Sequence, residues 1–315
     1  MKKIFKKCIP APILALILLT AGMLAGCGGS PQDKSLKVGV LPDVDSIPIL
    51  IAYANGYFEE EKIQVTVESF KSAADRESAL QSGSIDGAVS DMLAAAFAIN
   101  GGFDVKITSL TNGSYKLLVG KDTGITDFEG LEGKSVAISQ NTIIEYATDA
   151  MLAAKDMDPE DIVKTIIPQI PVRLEMLLNG QIAGATLPEP LATAALEGGA
   201  SLLSSTDQLG INPGVLLFKA DVLKSRSQTV KAFYRAYNKA VDYITKEPLE
   251  KYISVIIEDG GFPETVKDSL ILPDYTAAIL PDEEEFSQVM EWLTAKGLLN
   301  SAPDYAALTD GTFIK

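Results

Sequence analysis

Short apolar segments that end in polar loops and lead into helical patterns recur along this chain. Residues 36–40 (LKVGV) form the first apolar segment, residues 43–46 are the polar loop after it, and a helix is predicted to begin near Pro48. Strands that alternate with helices of about ten residues indicate parallel βαβ units with right-handed crossovers. The pattern therefore predicts an α/β protein.

Two series of such units follow each other. The predicted strands are residues 36–40, 63–69, 86–89, 105–110 and 115–119, then 135–138, 163–167, 182–186 and 202–204. The segment 163–167 also fits a continuing helix. Residues 213–219 are predicted to form a strand that returns to the first series. Further helices are predicted at residues 230–245, 249–259, 263–270 and 282–296.

The absence of histidine excludes several kinds of site. Without an imidazole the chain has no Ser-His-Asp or Cys-His nucleophile system and no HExxH metal motif. Its two cysteines, Cys8 and Cys27, are too few for a disulfide framework or a four-cysteine zinc site. The formal net charge of −15 disfavours nucleic acid as a partner, because no basic arm offsets it. We expect no catalytic residue, no metal and no cofactor.

The first 26 residues have the pattern of a secretory signal. MKKIFKK is basic, residues 9–23 are mostly apolar, and the segment ends in LAGC at residues 24–27. The apolar run is short for a membrane-spanning helix, and Pro10 and Pro12 interrupt its start. This end looks like a bacterial lipobox, which implies cleavage before Cys27 and lipidation of its thiol; an uncleaved N-terminal anchor is the alternative. Residues 27–35 would then form a lipidated tether at the outer face of the cell membrane.

Four further stretches carry a resemblance to a known family. GYFEEEKI, GSIDGAV, LEGKSVAI and NGQIAGATLPEP, within residues 36–245, are similar to the periplasmic-binding-protein family for uptake of nitrate, sulfonate, taurine and thiamine precursors. The resemblance implies a two-lobed periplasmic-binding-protein fold (type II) with a ligand cleft between the lobes and a helical C-terminal segment. Residues 36–113 plus 214–315 would form the first lobe, and residues 114–213 the second.

Three loops of the first lobe are candidate ligand contacts. In open α/β lobes, ligands collect beyond the carboxyl ends of the strands, where helix N-termini present N–H groups. Asp43 and Ser46 follow the first strand, although Ser46 also fits a helix cap. Ser90 and Asp91 open an alanine-rich helix; capping explains Asp91, whereas the resemblance implies a ligand contact at this turn. Lys71, after the second strand, is either a ligand cation or an ordinary solvated lysine.

Two loops of the second lobe complete the predicted cleft. Residues 139–142 (SQNT) are four consecutive polar residues, more than a helix cap needs, so Ser139, Asn141 and Thr142 are predicted contacts. Glu189 stands between two prolines and resembles the family's cleft carboxylate. The alternative is a first-turn glutamate that complements the helix dipole.

Tyr115 and Arg173 are the remaining candidates. Tyr115 follows Gly113 and Ser114 at the expected crossover, where it could stack on a ring or fill the hinge. Arg173 stands at a predicted helix start, where its guanidinium fits a carboxylate or sulfonate. A surface salt bridge is the other interpretation of Arg173.

The candidate residues carry more carboxylates than cations, which favours an amine-bearing, zwitterionic or aminopyrimidine-like solute over nitrate. The resemblance implies a monomeric, lipid-anchored solute-binding component of an ABC importer, which delivers its solute to permease and ATPase subunits. Two alternatives stay open: a lipoprotein that senses the same solute for a signalling partner, and an enzyme of thiamine-pyrimidine or menaquinone chemistry on the same fold. The pyrimidine synthases of this lineage consume a histidine and use iron, whereas this chain has no histidine.

Overall fold

A computed structural model describes residues 33–314 of the chain. The predicted signal peptide (1–26) and the predicted tether from Cys27 to residue 32 lie outside the described residues. Between residues 33 and 314, no helix combines the length and the apolar character that crossing a bilayer requires.

The described part contains ten β-strands. They are β1 Ser35–Val40, β2 Gln64–Ser69, β3 Gly87–Asp91, β4 Val105–Leu110, β5 Tyr115–Val119, β6 Ser135–Ile138, β7 Val163–Ile166, β8 Gly184–Pro188, β9 Ser201–Ser205 and β10 Gly214–Lys219. Each predicted strand has a counterpart here, and residues 163–166 are extended, which decides against the helical alternative.

The same part of the chain contains thirteen α-helices. They are α1 Ile47–Ala54, α2 Tyr57–Glu60, α3 Ala73–Gln81, α4 Met92–Asn100, α5 Ile143–Ala153, α6 Ile170–Leu178, α7 Leu191–Glu197, α8 Thr206–Leu209, α9 Ala220–Ser225, α10 Ser227–Lys246, α11 Ile253–Gly260, α12 Glu283–Ala295 and α13 Tyr305–Leu308. The predicted helix at residues 263–270 is wrong, since only the 3-10 turn Glu264–Val266 forms there. Val266 and Leu270 are both buried, so a turn satisfies the apolar spacing that suggested a helix.

The strands form two five-stranded sheets with the same arrangement. The first sheet has the order β2-β1-β3-β10-β4, and the second has the order β7-β6-β8-β5-β9. We call the part of the molecule built on each sheet the first lobe and the second lobe. β1 pairs with β2 in parallel register, Val38 opposite Val67, and β10 pairs with β3 in antiparallel register, Val215 opposite Ser90.

The parallel units that the sequence predicted are present, and one strand in each sheet runs against the others, so both sheets are mixed. β10 is antiparallel to β3 and β4, and β5 is antiparallel to β8 and β9. Both reversed strands are the first to follow a crossover between the lobes. Because the chain leaves one sheet at the carboxyl end of a strand, the receiving strand must begin at the facing edge of the other sheet. The crossovers therefore lie at the edges where the two sheets face each other.

The apolar core extends through both lobes. One cluster joins Val44 and Ile47 of the first lobe to Leu187 and Leu191 of the second, with Val266 beside them. A second cluster packs α12 on α4 and fixes α12 to the first lobe; its members include Phe286, Val289, Met290, Leu293, Met92 and Leu93. The two sheets and their helices thus give the two-lobed α/β architecture that the sequence predicted.

Candidate functional site

The lobes face each other across a small cavity beyond the carboxyl ends of their parallel strands. Its volume is about 30 Å³, which is space for about one or two water molecules. Its polar lining consists of Asp43, Arg76, Ser90 and Asp91 from the first lobe, and Ser139, Thr142 and Arg173 from the second. The lobes are therefore closed on each other around this cavity.

A groove of about 390 Å³ adjoins the cavity. The two share residues from both lobes: Ala73, Asp91, Ser139, Thr142 and Pro168. The groove adds Asn141 and Gln140 from the loop before α5. This placement makes the groove the candidate entrance to the cavity.

Two backbone hydrogen bonds hold the lobes together around the cavity. Ile170 N–H at the start of α6 donates to Lys71 O at 3.0 Å, and Val44 N–H donates to Glu189 O at 2.9 Å. Both bonds join a loop of the first lobe to a loop of the second. The closed arrangement is thus fixed by direct contacts between the loops that line or flank the cavity.

Asp43 places a buried carboxyl group in the cavity wall. Its Oδ1 accepts a hydrogen bond of 2.7 Å from Ser46 Oγ. Burial raises the pKa of Asp43 well above its ordinary value, and the negative charge of Asp45 raises it further. A cation placed in the cavity would favour the ionised carboxylate and would be held by it.

Arg76 lies in the same wall and is neutralised within the first lobe. Its Nε donates to Glu77 Oε1 at 2.9 Å, and its Nη2 donates to Ser90 Oγ at 3.0 Å. Ser90 Oγ in turn donates to Glu77 Oε1 at 2.7 Å. Asp91 Oδ2 lies 4.0 Å from Nη2 of the arginine. Arg76 therefore has its counter-charges in place before any ligand arrives.

Asp91 belongs to the first lobe but also contacts the second. Its Oδ1 accepts a hydrogen bond of 2.8 Å from Ala94 N–H, so it caps α4 as well as lining the cavity. Burial raises the pKa of Asp91 to about 6, against the opposing effects of Arg76 and of backbone N–H groups that include Ile143 at the start of α5. The carboxylate thus occupies the helix N-terminus that the second lobe presents to the cavity.

Arg173 is a fully buried cation in the second-lobe wall without a counter-charge. Its Nη1 donates to Ile167 O at 2.8 Å and to Pro168 O at 3.2 Å. Among the described residues, nothing accepts a hydrogen bond from its Nε or Nη2. Burial lowers the pKa of Arg173 to about 9. A bidentate oxyanion would satisfy both free N–H groups and neutralise the charge.

The loop before α5 is the other polar part of the second-lobe wall. Thr142 caps α5, because its Oγ1 accepts a hydrogen bond of 3.2 Å from Ile144 N–H and donates to Ser139 O at 2.8 Å. Asn141 N–H donates to Glu145 Oε2 at 2.7 Å. The cap and the cavity lining are therefore the same residues, as the excess of polar residues in this loop suggested.

The structure brings most of the predicted contacts together. Six line the cavity, namely Asp43, Ser90, Asp91, Ser139, Thr142 and Arg173, and Asn141 lines the groove. Four lie elsewhere, namely Ser46, Lys71, Tyr115 and Glu189. Ser46 acts through its hydrogen bond to Asp43, and the side chain of Lys71 is exposed while its carbonyl group joins the lobes.

Glu189 and Tyr115 have partners away from the cavity. The carboxylate of Glu189 pairs with Lys116 and accepts a hydrogen bond of 3.0 Å from Thr193 N–H in the first turn of α7. Glu189 precedes the N-cap residue of α7, and its carboxylate lies at the N-terminus of that helix. The hydroxyl group of Tyr115 donates to Asp45 at 3.1 Å, between the lobes, which matches the hinge interpretation.

Arg76 is the site residue that the sequence analysis missed. Its signal lies in helix periodicity, since Arg76 and Leu80 are four residues apart and are both buried in α3. An arginine on the inward face of a helix indicates a buried charge network. Within the described residues, no group of three or more Asp, Glu, His or Cys side chains is arranged to hold a metal ion. The cavity offers charges of both signs, which suits binding of a polar small molecule.

A family comparison covers most of the two lobes. Residues 43–251 match the model of the family described as NMT1/THI5 like. A Bacillus subtilis (strain 168) protein named for binding aliphatic sulfonates is 26% identical over 257 residues, which are 76% of this chain and 75% of that protein.

Solved structures of the same fold include two with named ligands. The alkanesulfonate-binding protein SsuA from Xanthomonas axonopodis pv. citri, bound to MOPS, is similar with a TM-score of 0.75 at 18% identity, covering 87% of this chain and 96% of that one. The periplasmic nitrate-binding protein NrtA from Synechocystis PCC 6803 is similar with a TM-score of 0.69 at 16% identity, covering 89% and 86%. At these identities the likeness establishes the periplasmic-binding-protein fold.

Proposed function

Because this chain belongs to the NMT1/THI5-like family, we propose that it is the solute-binding component of an ABC importer. It captures a small organic solute between its two lobes and delivers it to the permease and ATPase subunits, without chemistry of its own. The observation that carries the proposal is Arg173, a fully buried residue of the cavity lining whose Nε and Nη2 have no hydrogen-bond acceptor among the described residues. A binding site explains such a group, because a buried cation without a partner is costly in a scaffold.

The charges of the cavity support a solute that carries charges of both signs. Arg173 offers two N–H groups to an oxyanion, and Asp43 and Asp91 offer carboxyl groups to an amine or a protonated ring. We propose an organic sulfonate, an aminopyrimidine or a related zwitterion. The names of the relatives support the sulfonate class in particular.

Binding and closure are linked in this proposal. A solute touches both walls only when the lobes are closed, so it binds the closed state more tightly and increases its population. The cavity of about 30 Å³ is too small for any of the proposed solutes. We therefore propose that the solute occupies the adjoining groove of about 390 Å³ as well as the cavity.

We also propose that the protein is exported and anchored. The LAGC sequence at residues 24–27 supports lipidation of Cys27 and attachment to the outer face of the cell membrane. The lobe boundaries at residues 113–114 and 213–214 remain our proposal, and they are supported by the sheets, whose strands change lobe between β4 and β5 and between β9 and β10.

Thermal unfolding against a panel of solutes tests the function. The panel contains alkanesulfonates, aminosulfonates, aminopyrimidines, amino acids and nitrate, and the protein is a soluble chain beginning after Cys27. A solute that binds the native state raises the unfolding temperature by mass action. Arg173→Met should abolish that rise. A panel without any rise, or turnover of a compound by the purified protein, would contradict a binding protein for these solutes.

A further inference from the structure

A cluster of charged and aromatic side chains joins α12 of the first lobe to α5 of the second. Its members are Glu145, Asp149, Lys164, Trp292 and Lys296, and we call it the α5–α12 cluster. Glu145 and Asp149 lie on α5, Lys164 lies on β7, and Trp292 and Lys296 lie on or directly after α12. The cluster is separate from the cavity, since none of its five residues lines it.

Lys296 crosses from the first lobe to both carboxylates of α5. Its Nζ lies 2.5 Å from Glu145 Oε1 and 3.1 Å from Asp149 Oδ2. Trp292 Nε1 donates to the same Asp149 Oδ2 at 3.2 Å. The ring of Trp292 also meets the ring of Tyr146 on α5 edge to face, with centroids 5.6 Å apart. Trp292 and Lys296, at the end of α12, thus hold three residues of α5.

The charges of this cluster balance only when the lobes are closed. Glu145 and Asp149 are nearly fully buried. Their counter-charge within the second lobe is Lys164, whose Nζ lies 3.2 Å from Glu145 Oε1 and 2.7 Å from Asp149 Oδ1. Although burial opposes ionisation of Glu145, the hydrogen bonds from Lys296 and Asn141 and the charge of Lys164 lower its pKa. Opening the lobes would remove Lys296 and leave two carboxylates to one lysine.

The cluster is connected to the cavity by α5 itself. Glu145 binds Lys296 through Oε1 and accepts from Asn141 N–H through Oε2, in the loop that lines the groove. Thr142 and Ile143, at the first turn of the same helix, line the cavity. A contact that holds α5 against α12 therefore also holds the second-lobe wall of the cavity in place.

We infer that Lys296 and Trp292 are positioning residues for solute capture, which hold α5 on the first lobe and so set the population of the closed state. The inference rests on the proposed function for its effect on solute affinity, but not for its effect on closure. Apparent affinity changes with the population of the binding-competent state, so a weaker α5–α12 cluster changes the affinity for solute. Because Lys296 is partly exposed, salt can screen its ion pairs.

Trp292 is the single tryptophan of the chain, which makes closure measurable without a solute. Acrylamide quenching of its fluorescence should increase in Lys296→Met, and small-angle scattering should show a larger radius of gyration. In the unsubstituted protein, raising NaCl from about 0.1 M to about 1 M shortens the Debye length from about 10 Å to about 3 Å and should increase quenching in the same direction. Lys296→Met should lose that salt response, and Lys296→Arg should retain it.

Lys246→Met is the matched control, because Lys246 forms an exposed ion pair with Asp242 inside α10. It should behave as the unsubstituted protein. Quenching by acrylamide that is the same in Lys296→Met, in the control and at both salt concentrations would overturn the inference. If Lys296→Met fails to fold, the salt response of the unsubstituted protein and of Lys296→Arg decides the question alone.

Titration with taurine as the probe forms the second arm. We expect the dissociation constant of Lys296→Met to exceed that of the control by about threefold to tenfold, the range for a partly buried ion pair. If acrylamide quenching responds to salt but taurine does not bind, the role of the α5–α12 cluster in closure is supported and the proposed solute is contradicted. Taurine binding with identical constants in both variants would overturn the effect on capture.

Discussion

The hydroxyl group of Tyr115 donates a hydrogen bond of 3.1 Å to Oδ2 of Asp45, and the two residues lie in different lobes. The other oxygen of Asp45 accepts a hydrogen bond of 2.5 Å from Thr111, where the chain leaves the first sheet. A methyl group on Gly113 would lie 2.5 Å from Oδ2, and one on Gly214 would lie 2.8 Å from Oδ1. A buried carboxyl group is thus enclosed by both segments that connect the lobes.

Gly113→Ala should therefore destabilise the protein. The added methyl group must displace the carboxylate of Asp45 and break its bond to Tyr115, so we expect a loss of about 1–3 kcal/mol in the free energy of unfolding. Urea denaturation measures it. Gly120→Ala is the control, because its methyl group would meet its neighbours at 3.4 Å or more. Equal stability of the two variants would show that the carboxylate moves without cost.

Arg173→Met should separate binding from stability. Losing the guanidinium leaves a bound oxyanion without its partner, so the affinity for the solute should fall by at least about thirtyfold. The stability of the solute-free protein should stay the same or rise, because the substitution removes a buried charge without a counter-charge. Calorimetric titration and thermal unfolding measure the two effects.

Arg235→Met is the matched control for that experiment, since Arg235 forms an exposed ion pair with Glu61. It should leave the affinity unchanged. Unchanged affinity in Arg173→Met would remove Arg173 from the site, and a large loss of solute-free stability would assign it a structural role instead.

Asp91 should make the solute-free protein more stable in mild acid. Burial raises the pKa of Asp91 from 3.8 to about 6 in the folded state, so between these values the folded state binds a proton that the unfolded state has lost. This contribution is present below the unfolded pKa and is lost as the pH rises through about 6, a change of up to about 3 kcal/mol.

Comparison with Asp91→Asn isolates that contribution, because the asparagine side chain can still cap α4. The difference in unfolding free energy between the two proteins should change between about pH 4 and pH 7, with Asp91→Asn gaining on the unsubstituted protein as the pH rises. A difference that stays constant over this range would mean that Asp91 titrates at its ordinary pKa.

Cys27→Ser should release the protein from the membrane. Only the thiol of Cys27 stands at the predicted cleavage site, so its loss removes the site of lipid attachment, and the protein should move to the soluble fraction. Fractionation and the mass of the mature N-terminus measure this. Cys8→Ser should leave both unchanged, because Cys8 lies within the segment predicted to be removed. Membrane attachment that survives Cys27→Ser would favour the uncleaved anchor.

The sequence was sufficient for features that depend on neighbours along the chain. Asp91 and Thr142 each follow a strand and precede a helix, and their capping roles and their place in the cavity wall both follow from that local order. The bounds of β4 agree with the predicted residues 105–110 for the same reason, since local pattern and terminating residues fix them.

The features that the sequence did not predict depend on residues far along the chain. Glu189 turns to Lys116 because β5 is inserted beside β8 in antiparallel register, and no local pattern contains that pairing. Arg76 is buried in part because its guanidinium meets Ser90 and Asp91 of β3, a different element. The direction of a side chain at a strand end depends on which strand lies beside it, and the local sequence does not predict that neighbour.

The reversed strand of each sheet also determines the order in which the lobes can be completed. All five strands of the second sheet lie within residues 115–205, so that sheet has every partner once Ser205 has been synthesised. The first sheet must wait for β10, which fills the space between β3 and β4 and begins only at Gly214. The lobe that begins first along the chain is therefore the last that can close its sheet, and an emerging chain lacks the neighbour of β4 in that sheet until all of the second lobe has been made.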